Sequence, residues 1–219
     1  MTLASAPLAQ KLWTVLNPPS AKTGAPDPVP SDKIKNYAAG YVKMLQAGIV
    51  INAVPSSVSA SAAPPGSSIA GGQSSGGLIT ALLGPVMAAE AGKGLTPLAL
   101  PGLLLECTAI AAYIMASAKV SFAAGMITGK STATTSSPGP LAAGTGNNGK
   151  ITGLVGSALA SKIKSATTFT GPKQIAFYTA LCDFTMASGA VKFPAATVQG
   201  TCTSAGKMTL GVAAGGTIA

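Results

Sequence analysis

Histidine and arginine are both absent from this sequence. Without histidine the chain lacks the side chain that titrates nearest neutral pH, so general acid–base and Ser-His chemistry have no ordinary base. A zinc ion would have to be held without imidazole. Without arginine there is no planar fork for guanine edges or for bidentate phosphate contacts. Acids are nearly as scarce: Asp27, Asp32, Glu90, Glu106 and Asp183 are the whole set. They fall in no paired spacing, and nothing marks a lysine or cysteine for covalent catalysis. No catalytic residue, metal ligand or cofactor site is therefore expected. Charged residues make up 9% of the chain and aromatics 5%, against a usual charged share of about 25%.

The 14 positive side chains are all lysines, and the net charge is +9. They are scattered singly between Lys11 and Lys207, with Lys33/Lys35 and Lys162/Lys164 as the closest pairs. Such spacing reads as general surface charge, and no specific nucleic acid is expected. Cys107, Cys182 and Cys202 are odd in number and form no C-x-x-C. Cys107 and Cys182 fall in apolar, helix-like stretches, where cysteine is usually a small buried hydrophobe. A Cys182–Cys202 bridge stays open. The start, Met1 to Trp13, lacks a basic region followed by an apolar one, so no targeting segment is expected. The most apolar window, Leu98 to Ala118, contains Pro101, Gly102 and Glu106. It falls short of the roughly 20 clean apolar residues of a membrane span and reads as a buried interface helix.

Small residues dominate what remains. Hydrophobic residues make up 47% of the chain, but much of that is alanine, and burial stabilises by only roughly 25 cal/mol per Å² of apolar area. Part of the apolar surface is therefore expected to be completed by neighbouring chains. Onto this background a pattern is written three times. Gly72-Gln-Ser-Ser-Gly-Gly77-Leu-Ile79, Gly144-Thr-Gly-Asn-Asn-Gly149-Lys-Ile151 and Gly211-Val-Ala-Ala-Gly-Gly216-Thr-Ile218 share a glycine-rich frame. Each follows an anchor valine, Val50, Val120 or Val191, at a similar distance.

The spacing predicts an α+β chain of three tandem helix–short strand–loop repeats, preceded by an N-terminal helix on a proline-rich linker. Residues 1–30 are the helix and arm, 31–96 unit one, 97–171 unit two and 172–219 a truncated unit three. Helices are expected over 3–16, 34–47, 78–91, 102–117, 151–164 and 172–186. Short strands are expected near 49–54, 119–122, 126–128, 191–193 and 197–201, with loops over 55–76 and 131–149. The chain stops after its third glycine motif, so unit three is expected to lack its second helix and to leave a surface beside Ile218. Leu8, Leu12, Trp13, Val15 and Leu16 on the first helix, with Ile218, are the candidate interface. The first helix docks either on a neighbour or on its own body.

Gly144 to Lys150 also matches the first seven positions of a phosphate-binding P-loop. There a Ser/Thr must follow the lysine to hold magnesium, and a buried strand must precede the loop. Here the next residue is Ile151, and neither sister motif keeps the lysine. The reading kept is a glycine turn before a helix, with Ile79, Ile151 and Ile218 packing inward; a nucleotide-binding enzyme is disfavoured.

Over about residues 34–219 the units resemble repeats in virion structural proteins of contractile-tailed bacteriophages. Met186-Ala-Ser-Gly-Ala-Val-Lys-Phe-Pro194, Val198-Gln-Gly-Thr-Cys-Thr203 and the glycine motifs carry the likeness. The resemblance implies a non-enzymatic part of a tail, baseplate or neck. Its partners would be other virion structural proteins, in multiple copies within a symmetric assembly, located in the virion and assembled in host cytoplasm. A capsid cement or vertex protein and a secreted adhesin-like module are the alternatives.

Overall fold

The computed structural model describes residues 3–18, 29–52, 57–61, 66–167 and 172–219. Six α-helices form: α1 (Ser5–Leu16), α2 (Asp32–Ala47), α3 (Gly84–Ala91), α4 (Leu100–Ser117), α5 (Gly156–Ala166) and α6 (Pro172–Ser188). Eight strands accompany them: β1 (Ile49–Asn52), β2 (Val58–Ser61), β3 (Ala70–Thr80), β4 (Lys119–Ser131), β5 (Gly139–Thr152), β6 (Ala190–Phe193), β7 (Val198–Cys202) and β8 (Met208–Ile218). The proline-rich linker lies largely outside the described residues.

The helices α2, α4 and α6 each run into a strand through one residue: Gly48, Ala118 and Gly189. At Gly48 the backbone turns extended, with φ −68° and ψ 151°. A side chain there would meet Leu82 Cδ2 at 2.6 Å, so the leucine would have to shift to admit one. The β-branched run Ile49-Val-Ile then forms a strand, as its residue types favour.

All strand pairing is antiparallel. Following it around gives β1–β3–β4–β5–β6–β8 and back to β1, a closed six-stranded barrel. The short strands β2 and β7 extend the wall, β2 between β3 and β8, β7 between β5 and β8. This overturns the expected fold of three tandem helix–strand–loop repeats. The segments do not stack as separate units. Their strands zip into one sheet that closes on itself, which leaves the barrel circuit without a free edge.

The repeated spacing marks equivalent registers in that one sheet. Val50 pairs with Ile79, Val120 with Ile151 and Val191 with Ile218. All six side chains are buried. The glycine motifs are therefore strands, and the expected turn before a helix is corrected. Much of the expected loop 131–149 is β5, and the expected loop 55–76 holds β2 and the first part of β3; its residues 55–56 and 62–65 lie outside the described set. Helices α3 and α5 start at Gly84 and Gly156, later than residues 78 and 151, because Leu78 and Ile151 belong to the barrel wall.

The glycines answer a geometric need. A six-stranded barrel has a narrow interior, and not every inward position can carry a side chain. A Cβ on Gly149 would meet the Phe122 ring at 2.5 Å, and one on Gly216 would meet the Phe193 ring at 2.7 Å. Gly77 lies in the same way against Asn52 Oδ1, at 2.4 Å. The preceding residues, Gly76, Asn148 and Gly215, have φ of 73°, 56° and 72°. A left-handed residue at this point in each strand is the mark of a bulge, which turns the wall inward.

The six helices close a second circuit over one end of the barrel. Each packs on its neighbours in order, and α1 completes the ring between α6 and α2. In the same way α3 sits between α2 and α4, and α5 between α4 and α6. The buried positions match at identical spacing. Leu3, Leu8 and Leu12 take the places of Leu82, Met87 and Ala91, and of Leu154, Leu159 and Ile163. The expected vacancy beside Ile218 is therefore filled by the chain's own first helix. Each fully buried leucine there stabilises by about 1.5–3 kcal/mol relative to exposure.

Candidate functional site

Of the six candidate interface residues, Leu8, Leu12 and Ile218 are buried within the chain. Trp13, Val15 and Leu16 are partly buried, with Val15 packed against the core. The five on α1 lie on the helix that packs between α2 and α6, and Ile218 lies in β8 opposite Val191. Two polar contacts rim α1. Lys11 Nζ lies 3.8 Å from Asp183 Oδ2, and Lys173 Nζ donates to the Leu16 carbonyl at 3.1 Å. Both are exposed and contribute little stability.

The P-loop look-alike has no loop. Gly144 to Lys150 lies inside β5, flanked by β4 and β6. Its buried glycines face Phe122, Phe193, Ile127 and Val198. Cys107, Cys182 and Cys202 are buried free thiols, and no bridge joins Cys182 to Cys202. Burial pushes the Cys107 thiol up to about 12 and the Cys182 thiol up to about 11. Both thiols stay protonated and unreactive near neutral pH.

Three of the acids lie in ion pairs. Asp32 pairs with Lys35 in the first turn of α2, and Asp183 meets Lys11. Glu90 pairs with Lys93 and, at 3.7 Å, with Lys43, which ties α3 to α2. Glu106 differs from these. Tyr37 of α2 donates its hydroxyl to Glu106 Oε1 at 2.6 Å, and Tyr178 of α6 donates to the same oxygen at 3.0 Å. Phe177 stacks edge-on against both tyrosine rings, at 5.3 and 5.6 Å. Burial raises the Glu106 carboxyl above its ordinary value, and the two hydroxyl bonds only partly offset this. Burial and the facing Glu106 raise Tyr37 and Tyr178 in turn.

This cluster knots three helices distant in sequence at one point of the ring. One layer nearer the barrel, Tyr41 and Thr185 share a 2.6 Å hydroxyl contact that also joins α2 to α6. Nothing in the expected pattern flagged the cluster. A signal was present: Tyr37, Cys107 and Tyr178 stand at the same distance before the three anchor valines. The arrangement holds the three helices together.

Exposed leucines stand out at the start of α4. Pro97–Ala99 forms a short 3₁₀ turn ahead of α4. Leu98 is 92% exposed and Leu105 55%, with Leu100 and Leu104 also exposed beside them. Leu100 and Leu104 line a groove of about 600 Å³ together with Pro85, Ala88 and Ala89 of α3. The segment Pro97–Ser117 is long and apolar enough to cross a membrane by length and composition alone. Its inner face, with Cys107, Ile110 and Ile114 fully buried, belongs to the helix ring. The interface helix expected over residues 98–118 is thus core on one face and exposed leucine on the other.

No protein-family model, no curated protein and no solved structure matches this chain.

Proposed function

We propose that the protein is a non-enzymatic structural subunit of a virion, in the tail, baseplate or neck region, that makes contacts between copies in a symmetric assembly. The observation that carries this reading is the leucine ridge of Leu98, Leu100, Leu104 and Leu105 beside an apolar groove. Exposed apolar residues concentrated in this way mark contact sites on protein surfaces. The low charge, the buried inert thiols and the structural use of Glu106 support a body built for shape. The resemblance of the glycine and Met-Ala-Ser segments to phage virion proteins supplies the virion part.

Sedimentation of the purified chain tests the contact. The wild type forms oligomers at high micromolar concentration, and the double variant Leu98→Glu/Leu105→Glu stays monomeric with an unchanged circular dichroism spectrum. A wild type that remains monomeric under those conditions overturns the reading.

A further inference from the structure

The ring seats α1 where α3 and α5 sit in the other two positions, but joins it differently. Eight residues, 92–99, lead from α3 to α4, and five, 167–171, lead from α5 to α6. Fifteen residues, 17–31, lead from α1 to α2. All three joins connect neighbouring helices of the same ring, so the geometry asks for five to eight residues. The surplus of seven to ten residues adds about 25–35 Å of reach when extended.

We propose that α1 is an exchangeable helix, which fills this seat in its own chain or the same seat in a second copy. The seat recognises α1 by chemistry that is independent of the join. Leu3, Leu8 and Leu12 enter an apolar slot between α2 and α6, and Lys11 reaches Asp183 at the rim. An identical chain presents the identical slot, so a reciprocal exchange keeps every one of these contacts and closes as a two-fold dimer. A helix joined to its own seat by a chain of this length meets it at an effective concentration on the order of millimolar. Exchange therefore becomes competitive where copies are crowded to that level, as in an assembly. The inference stands apart from the leucine ridge, which lies on the Pro97–Ala99 turn and α4.

The Lys11–Asp183 pair provides the readout. Unlabelled and nitrogen-15-labelled full-length chains are mixed, equilibrated at millimolar concentration and coupled with a carbodiimide, which links adjacent amine and carboxylate groups without a spacer. Exchange yields Lys11–Asp183 peptides of mixed isotope, approaching half of that product. Deleting residues 19–28 leaves a five-residue join equal to 167–171, and the mixed product disappears while the same-chain product remains. Leu98→Glu/Leu105→Glu leaves the mixed fraction unchanged, which separates this seat from the ridge. Uniform-isotope product alone in the wild type overturns the proposal. So does a mixed fraction that survives the deletion. The absence of any Lys11–Asp183 product overturns it too, because α1 would then not occupy the seat.

Discussion

Gly149→Ala adds one methyl group to the inside of the barrel wall. The new Cβ would lie 2.5, 2.7 and 2.8 Å from Cζ, Cε2 and Cε1 of Phe122. Ordinary carbon contacts are about 3.5–4.0 Å, so the ring must move by roughly an ångström. It has little room to do so, because Phe193 packs against it with ring centroids 5.3 Å apart. Overpacking of this kind costs about 1–3 kcal/mol, and the upper part of that range applies where the obstacle is a ring braced by another ring. For a chain of this size, about 2–3 kcal/mol lowers Tm by roughly 4–12 °C. Thermal unfolding followed by circular dichroism measures it. The partner variant Phe122→Leu removes the obstructing ring, so the double variant should recover about 1–2 kcal/mol of coupling in a double-mutant cycle. Gly102→Ala in α4 is the control: a Cβ there meets nothing within 4 Å, and the helix gains about 0.5–1 kcal/mol. If Gly149→Ala melts with the wild type, or if Phe122→Leu gives no coupling, then the glycine is not there to admit the ring, and the account of the motif as barrel wall fails.

Two further perturbations follow from the same geometry. Ala81 has φ 58°, while its counterpart Gly153, two residues after the equivalent isoleucine, has φ 84°. Ala81→Gly relieves a left-handed alanine and should raise stability by about 0.5–1 kcal/mol in denaturant titration; a loss of stability would contradict the strain. Glu106 has a folded-state carboxyl raised by burial, so its contribution is fully present below the ordinary carboxylate range and is lost as pH rises through the raised value. Glu106→Gln keeps an oxygen that can accept from Tyr37 and Tyr178 but cannot ionise. The stability difference between variant and wild type should then grow in the variant's favour as pH climbs from the carboxylate range. A difference that is flat with pH would mean the carboxyl is not held in this way.

Part of this arrangement was legible before any coordinates. The helices over 3–16, 34–47 and 102–117 follow from apolar side chains at helical spacing, and each forms within a few residues of its expected bounds. The valine and isoleucine anchors were visible as recurring positions. Their meaning was not, because a glycine-rich stretch carries almost no local preference. Gly144 to Gly149 has the composition of a loop, and only Phe122 and Phe193 pressing from neighbouring strands make it a wall. The Glu106 cluster was hidden for a related reason. Glu106 lies 69 residues from Tyr37 and 72 from Tyr178, and single polar residues on three helices give no pattern until the ring brings them together.

The sequence by itself determined the scarcity of catalytic groups, the positions of most helices and the threefold recurrence of valine, glycine and isoleucine. Those are local matters of side-chain type and spacing. The tertiary structure decided the closure: three strand pairs became one barrel, and α1 came round to complete a ring that the order of the chain leaves open. Closure depends on which surfaces meet at long sequence separation, and no local spacing encodes that.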